Sequence, residues 1–301
     1  MLSIVAPLLK KIARAQRKRV NVPVIGIGSI TIGGCGKTTL AISLAEHLTN
    51  QGEKVGILLR GYPGSKQYTS MGIPYNAPTS LMYSVGDEAI FLSRINPNIR
   101  IYTGQDRPSS ARLAIQDGCS ILIVDDAFQQ GGLFCDVEIV CISSGEGLGN
   151  RLLLPIGPLR EPPINLKYST KVAITKTNIF PPTKRLLSTL APLKPIYLPL
   201  QATAPEPSKL QSKRCILVSA IRDKKSFLRL ASKTGAMVVN HLSAPDHHIF
   251  TVKELLLTER MAKGSKADII LTTAKDLPKL ENIDFPVLAL EVRYPVKGVL
   301  H

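Results

Sequence analysis

From residue 22 onward the chain alternates short apolar runs with stretches of helical period. Residues 22–28, 54–59, 99–102, 119–124, 137–142 and 171–175 are compact apolar segments that read as strands. Between them, residues 38–51 place Leu40, Ala41, Leu44, Ala45 and Leu48 on one helical face, and Gly52 stops the helix. Residues 87–94 and 106–116 read as further helices. Residues 60–85 are rich in Gly, Pro, Ser and Tyr and predict a long loop. Strands recur at 215–219, 236–242, 268–272 and 287–290, with helices over 224–232 and 252–263. Strand–helix alternation of this kind builds mostly parallel sheets with helices on both faces, an α/β fold. Pro and Lys crowd residues 177–214, which sets the expected domain boundary there: one domain over 21–180, a smaller one over 181–301.

Residues 1–20 follow a different pattern. Leu2, Val5, Leu8, Leu9 and Ile12 recur at helical spacing. Lys10, Lys11, Arg14, Arg17, Lys18 and Arg19 follow them with no acidic residue. The apolar part is shorter than the roughly 20 residues that span a bilayer. The charges come after it, whereas a secretory signal puts them before. The segment is expected to be a basic amphipathic helix lying on an anionic membrane surface. The alternative is a helix packed on the domain with its basic residues in water.

The net charge of +16 widens the anionic theme to the whole chain without choosing among nucleic acid, lipid surface and phosphorylated substrate. There is no Trp, Tyr and Phe are sparse, and no zinc-finger or aromatic RNA-binding pattern occurs, so no nucleic-acid partner is expected. The cysteines at 35, 119, 135, 141 and 215 form no C-x-x-C pair and predict reduced, buried thiols.

The most informative segment is Gly28-Ser-Ile-Thr31-Ile32-Gly33-Gly34-Cys35-Gly36-Lys37-Thr38, between a strand and a helix. Glycines let backbone N–H groups curl around phosphate oxygens, and the helix N-terminus adds positive potential. Lys37 is placed for the β- and γ-phosphates and the Thr38 hydroxyl for Mg²⁺. The strict G-x-x-x-x-G-K-[ST] pattern wants Gly at 31, where this chain has Thr31. The complementary acid follows the buried strand 119–124 as Asp125-Asp126, at the sheet edge where ligands bind in such folds. Gly86-Asp87-Glu88, Asp106-Arg107, Leu159-Arg160-Glu161 and Pro245-Asp246-His247-His248 are further polar clusters. Each could equally be helix-cap or turn chemistry.

Taken together these stretches resemble the tetraacyldisaccharide 4'-kinase family of lipid A biosynthesis. The matching pieces run in order along nearly the whole chain: Val22-Pro23-Val24 into the glycine-rich loop, Arg60-Gly61-Tyr62, Val85-Gly86-Asp87-Glu88, Asp106-Arg107, Asp125-Asp126-x-Phe128-Gln129, Asp136-x-Glu138-Ile139, Leu153 to Glu161, Pro245-Asp246-His247, and Thr273-x-Lys275-Asp276. Thr31 is typical of that family, so the departure from the strict loop becomes support. The resemblance implies a P-loop NTPase-like parallel-sheet domain followed by a smaller α/β/α domain. It also implies an ATP- and Mg²⁺-dependent lipid kinase, a monomer on the cytoplasmic face of the bacterial inner membrane, acting on an acylated disaccharide phosphate lipid. By the same resemblance Asp87 is the candidate base, tuned by His247. Glu88, Asp125, Asp126 and Gln129 arrange Mg²⁺ and phosphates, and Arg107 and Arg160 neutralise charge. The chain departs from the family at Ala127 and Gln130, where Gly and His are usual, and at Ala274, where Glu is usual. The rival reading is a P-loop ATPase or GTPase switch without a lipid acceptor. Residues 175–178, Thr-Lys-Thr-Asn, are only a distant echo of a guanine-reading motif.

Overall fold

The computed structural model of the protein describes residues 13–61 and 70–300. These form two compact units, Met1–Pro199 with Tyr294–His301, and Leu200–Arg293.

The first unit is built on an eight-stranded sheet. Its strands are β1 (Val24–Gly28), β2 (Val55–Leu59), β3 (Met71–Ile73), β4 (Arg100–Thr103), β5 (Ile121–Asp125), β6 (Val137–Ser143), β7 (Lys171–Thr175) and β8 (Ile196–Leu198). They run in the order β3-β4-β2-β5-β1-β6-β7-β8. Every pairing is parallel except β3 with β4, so the C-terminal ends of the parallel strands share one edge. β1, β2 and β5 are buried at every position, which is why they read as unbroken apolar runs rather than alternating ones. Helix α1 (Lys37–Asn50) buries Leu40, Ala41, Leu44, Ala45 and Leu48, the face its sequence period marks. Asp87–Ser93 forms α2 and Arg107–Gln116 forms α3. Asp106 caps α3 by accepting a hydrogen bond from Ser109 N at 3.2 Å. Ala111 and Ala114 of α3 pack on Val24, Leu58, Leu122 and Val124.

Two expectations are corrected here. Residues 71–73 are a strand and 79–85 are short helical turns, within the stretch read as loop. A three-residue edge strand with Gly72 at its centre carries no alternation to read. The change of unit falls after Pro199, not at 180. Helix α4 (Lys184–Leu190) and β8 still belong to the first sheet, and Leu186 and Leu190 share a core with Val140, Ile142, Val172 and Ile174.

The second unit is a five-stranded sheet of order β11-β10-β12-β13-β9. Its strands are β9 (Gln201–Ala204), β10 (Arg214–Ser219), β11 (Met237–Ser243), β12 (Ile269–Thr273) and β13 (Val287–Arg293); only β9 is antiparallel. Helices α5 (Lys224–Lys233) and α6 (Val252–Gly264) cover it. Asp223 caps α5, and Thr251 with Glu254 makes a capping box on α6. From Tyr294 the chain returns to the first unit, where Tyr294 N donates to Ser43 Oγ at 2.9 Å.

The amphipathic helix expected over residues 1–20 falls mostly outside the described residues; residues 13–15 are helical. Among the described residues, three of its basic side chains are engaged within the protein. Arg14 and Arg17 both pair with Glu138, whose side chain is 2% exposed, and Arg17 Nη2 also donates to Gln130 O at 2.7 Å. Arg19 lies 3.5 Å over the Phe134 ring. All five cysteines are free and buried, as their apolar settings imply.

Candidate functional site: a phosphate loop with two facing carboxylates

β1 is hydrogen-bonded between β5 and β6, with Ile27 in register with Asp125. The loop leaving β1 therefore starts beside the acidic end of β5. Gly28 permits this closeness, since a Cβ there would stand 2.7 Å from Phe128 N. Gly36 has φ 83° and precedes α1 without any side-chain cap, leaving the first N–H groups of the helix for a ligand. A Cβ on Gly36 would collide with the Tyr294 hydroxyl, so Gly is doubly required there.

The unusual Thr31 now has a physical reason. Position 31 is not in the left-handed region, so Gly is not needed. Its side chain is buried, with its hydroxyl 2.9 Å from that of Ser29. Ala127 is likewise free of positive φ, and its N–H donates to Ile27 O at 2.8 Å. The loss of the family's glycine does not strain that turn.

The Thr38 hydroxyl sits between two carboxylates, 2.7 Å from Glu88 Oε1 and 2.9 Å from Asp125 Oδ2. One hydroxyl proton cannot serve both at once. Burial first, and the neighbouring Glu88 second, push the Asp125 carboxyl up to about 7. This is an oxygen-only cluster of two carboxyl groups and a hydroxyl, the donor chemistry of Mg²⁺. No three His, Cys, Asp or Glu side chains among the described residues gather to hold a metal alone. Mg²⁺ usually takes one or two carboxylates and completes its shell with phosphate and water. Thr38, Asp125 and Glu88 fit that pattern.

Asp126 does not join them. Its φ of 52° turns it toward Lys37 Nζ at 3.5 Å and Arg160 Nη1 at 2.8 and 3.1 Å. Burial works against its charge, but Lys37 and Arg160 outweigh that and hold it below the usual carboxylate range. Burial likewise opposes the Lys37 charge, and Cys35, Asp126 and Asp125 together raise its pKa above the ordinary value. Gln129 is a bridge: its Nε2 donates to Ser29 O and Glu161 Oε1, both at 2.9 Å, and its Oε1 accepts from Arg160 at 3.2 Å. Arg107 is buried and donates from Nη2 to Asp125 O at 3.0 Å. Its Nη1 is buried with no hydrogen-bond partner among the described residues. Burial lowers its pKa to about 10, so it stays a cation at neutral pH.

Sequence reading did not single out the brace behind the loop. Thr175 Oγ1 donates to Cys35 O at 2.8 Å, and Lys176, at φ 61°, donates to Gly34 O. Both carbonyls are thereby held away from the concave side, where the loop N–H groups must point. The weak Thr-Lys-Thr-Asn echo was the only signal for them.

Asp87 opens α2 beside Glu88, in the first unit. His247 is in the second, at the C-terminal edge of its sheet, with φ 64° and its N–H donating to Ala220 O at 3.1 Å. Lys275 Nζ lies 3.3 Å from His247 Nδ1 and 3.8 Å from Asp246 Oδ1. His248 instead faces Glu254 at 3.0 Å, so the two adjacent histidines have different partners.

A parallel sheet that passes through this loop into an uncapped helix, with the Thr38 hydroxyl set between acids, defines a P-loop nucleotide-binding protein. The model of the family described as tetraacyldisaccharide-1-P 4'-kinase matches residues 3–300. The tetraacyldisaccharide 4'-kinase of Gluconobacter oxydans is 34% identical over 284 residues, covering 92% of this chain and 82% of that protein. That of Syntrophus aciditrophicus is 32% identical over 306 residues, covering 93% and 82%. The fold is similar to that of the "apo" form of LpxK from Aquifex aeolicus in complex with ATP, with a TM-score of 0.70 and 24% identity over 99% of this chain and 96% of the other. The chain belongs to the tetraacyldisaccharide 4'-kinase family.

Proposed function

We propose that the protein transfers the γ-phosphoryl group of ATP to the 4' hydroxyl of a tetraacyldisaccharide 1-phosphate, a step of lipid A biosynthesis. The observation that carries this reading is Thr38 held between Glu88 and Asp125 at the end of a phosphate loop, in a chain of this family. The loop over residues 31–38 binds the phosphates through backbone N–H groups at Gly33, Gly34 and Gly36 to Thr38, and Lys37 pairs with the β- and γ-oxygens. Thr38, Asp125 and Glu88 would hold Mg²⁺, which supplies charge neutralisation across those oxygens. Asp126 acts differently from Asp125: it orients Lys37 and Arg160. Arg107 has an unused buried N–H donor for a phosphate oxygen. Asp87 takes the proton of the acceptor hydroxyl as its oxygen bonds to phosphorus and the bond to ADP breaks. His247 tunes Asp87.

A switch protein would need the loop and Asp125 but neither Asp87 nor His247. The enzyme works as a monomer at the cytoplasmic face of the inner membrane, held peripherally by its basic N-terminal segment. Among the described residues no helix is long and apolar enough to cross a membrane. Asp87→Ala and His247→Ala are expected to cut turnover by roughly 10²-fold or more, the range of general acid–base catalysis, with binding of a fluorescent ATP analogue unchanged. Equal losses of nucleotide affinity and turnover would remove both residues from the acceptor side.

A further inference from the structure

Among the exposed apolar side chains of the first unit, three cluster on one loop beside the phosphate site. Leu152, Leu154 and Ile156 are 48%, 46% and 77% exposed, although the residues between and after them, Leu153 and Leu159, turn into the core with Ile30 and Val140. Core packing therefore accounts for the inward pair but not for the three side chains held in water. The loop is not slack. Leu154 N donates to Leu159 O at 2.8 Å, Gly157 N to Leu153 O at 2.9 Å and Leu159 N to Leu152 O at 3.2 Å. Asn150 closes it from both sides, accepting from Leu152 N at 3.0 Å and donating to Ile156 O at 3.2 Å. A Cβ at Gly157 would strike Leu152 O and Asn150 Oδ1, so the tight tip depends on glycine. The loop is thus a self-bonded projection whose tip presents large apolar groups.

Its base is fastened to the phosphate loop. Ile32 N donates to Pro158 O at 2.8 Å and Arg160 N to Ile30 O at 2.7 Å. Arg151 is the one charged residue of the loop proper, in a chain of net charge +16; Arg160 at its base is held against Asp126 and Gln129. A self-bonded apolar tip beside Arg151 matches the chemistry of an anionic bilayer interface, where Leu and Ile enter the acyl boundary and Arg meets headgroup phosphate. We propose that the 152–156 loop is a membrane-docking tip that seats in an anionic phospholipid surface and, through its base, turns the phosphate loop toward that surface. The proposal adds a contact separate from the N-terminal segment and shares the membrane partner of the functional reading, but it needs no sugar lipid.

The chain has no Trp, so Ile156→Trp gives the full-length protein a single emitter at the tip. With phosphatidylcholine–phosphatidylglycerol vesicles the emission is expected to shift to the blue and to be quenched by brominated acyl chains. Combined Leu152→Ser, Leu154→Ser and Ile156→Ser should weaken co-sedimentation of the full chain with those vesicles by roughly tenfold or more, since burial of even one such side chain is worth about a factor of ten. Melting temperature and ATP-analogue affinity should be unchanged. An emission that ignores the vesicles, or a triple variant that sediments like wild type, overturns the proposal. So does a blue shift that appears without lipid and grows with protein concentration, which would make the tip a contact between two copies. Because the vesicles hold no disaccharide, failure here leaves phosphoryl transfer in detergent to be judged separately.

Discussion

The two units carry polar clusters at equivalent places, the C-terminal edges of their sheets, and close them differently. In the second unit Asp276 is fully buried and its charge is fully answered. Oδ2 accepts from Ala220 N at 2.9 Å and Thr273 Oγ1 at 2.8 Å, and Oδ1 pairs with the equally buried Lys279 at 3.0 Å. In the first unit Asp125 is also buried, yet it shares one hydroxyl proton with Glu88 and its carboxyl is pushed up to about 7. A closed network holds a loop in place. A buried carboxyl that shares one hydroxyl with a second carboxyl is suited to a bound cation. The contrast divides the Thr-x-Lys-Asp stretch as well. Asp276 locks the Ala220 loop, whereas Lys275 stays partly exposed beside His247 and Asp246.

That division has a large expected consequence. Asp276→Ala removes the carboxylate paired with the buried Lys279 and should cost the protein about 3–5 kcal/mol in urea unfolding. Lys275→Ala should change stability by less than about 0.5 kcal/mol and lower turnover instead. Similar unfolding midpoints for the two variants would erase the distinction. A smaller effect probes the brace of the first unit. Thr175→Val removes one hydrogen bond to the Cys35 carbonyl, worth about 1 kcal/mol, so ATP-analogue affinity should weaken roughly fivefold with little change in turnover at saturating nucleotide. Unaltered affinity would mean that the loop holds its shape unaided.

The smallest effect concerns His241 in the second unit. Burial first, and Lys224 second, lower its pKa below the ordinary 6.5, and its ring bonds to Ser219 Oγ at 3.0 Å. The unfolded chain then binds a proton that the folded one resists. Stability from this group is complete above 6.5 and declines as pH falls below it toward the folded pKa. His241→Gln should flatten that part of the pH–stability curve; an identical slope in wild type and variant would assign it to other groups.

The elements that the sequence made legible are those with one dominant signal. β1, and β5 up to Asp125, carry no charged residue because both faces are covered, and α1 shows its buried face as a clean helical period. Lys37, Thr38 and Asp125 follow from the loop and from the rule that ligands meet the C-terminal edge of a parallel sheet. The strands β3, β8 and β9 span three, three and four residues, too short for a period, and β8 and β9 lie among prolines. Asp126 is expected from the sequence beside Asp125 as a metal ligand, and nothing in its neighbourhood reveals the left-handed backbone that sets it against Lys37 and Arg160. Arg14 and Arg17 looked like membrane contacts because their partner, Glu138, is hidden inside a strand far along the chain. Its Asp-x-Glu stretch was visible as a family feature, but its pairing was not. Tyr294 beside Gly36 is tertiary in origin and left no local trace.

The most direct test of the account is transfer of radiolabelled γ-phosphate from ATP to tetraacyldisaccharide 1-phosphate in detergent micelles, with Mg²⁺ and with Lys37→Ala as the control. The expected result is label on the 4' position of the lipid, with a rate lowered by about 10²–10³-fold in the variant, as for loss of one donor to developing transition-state charge. Hydrolysis of ATP with no label on the lipid would contradict it.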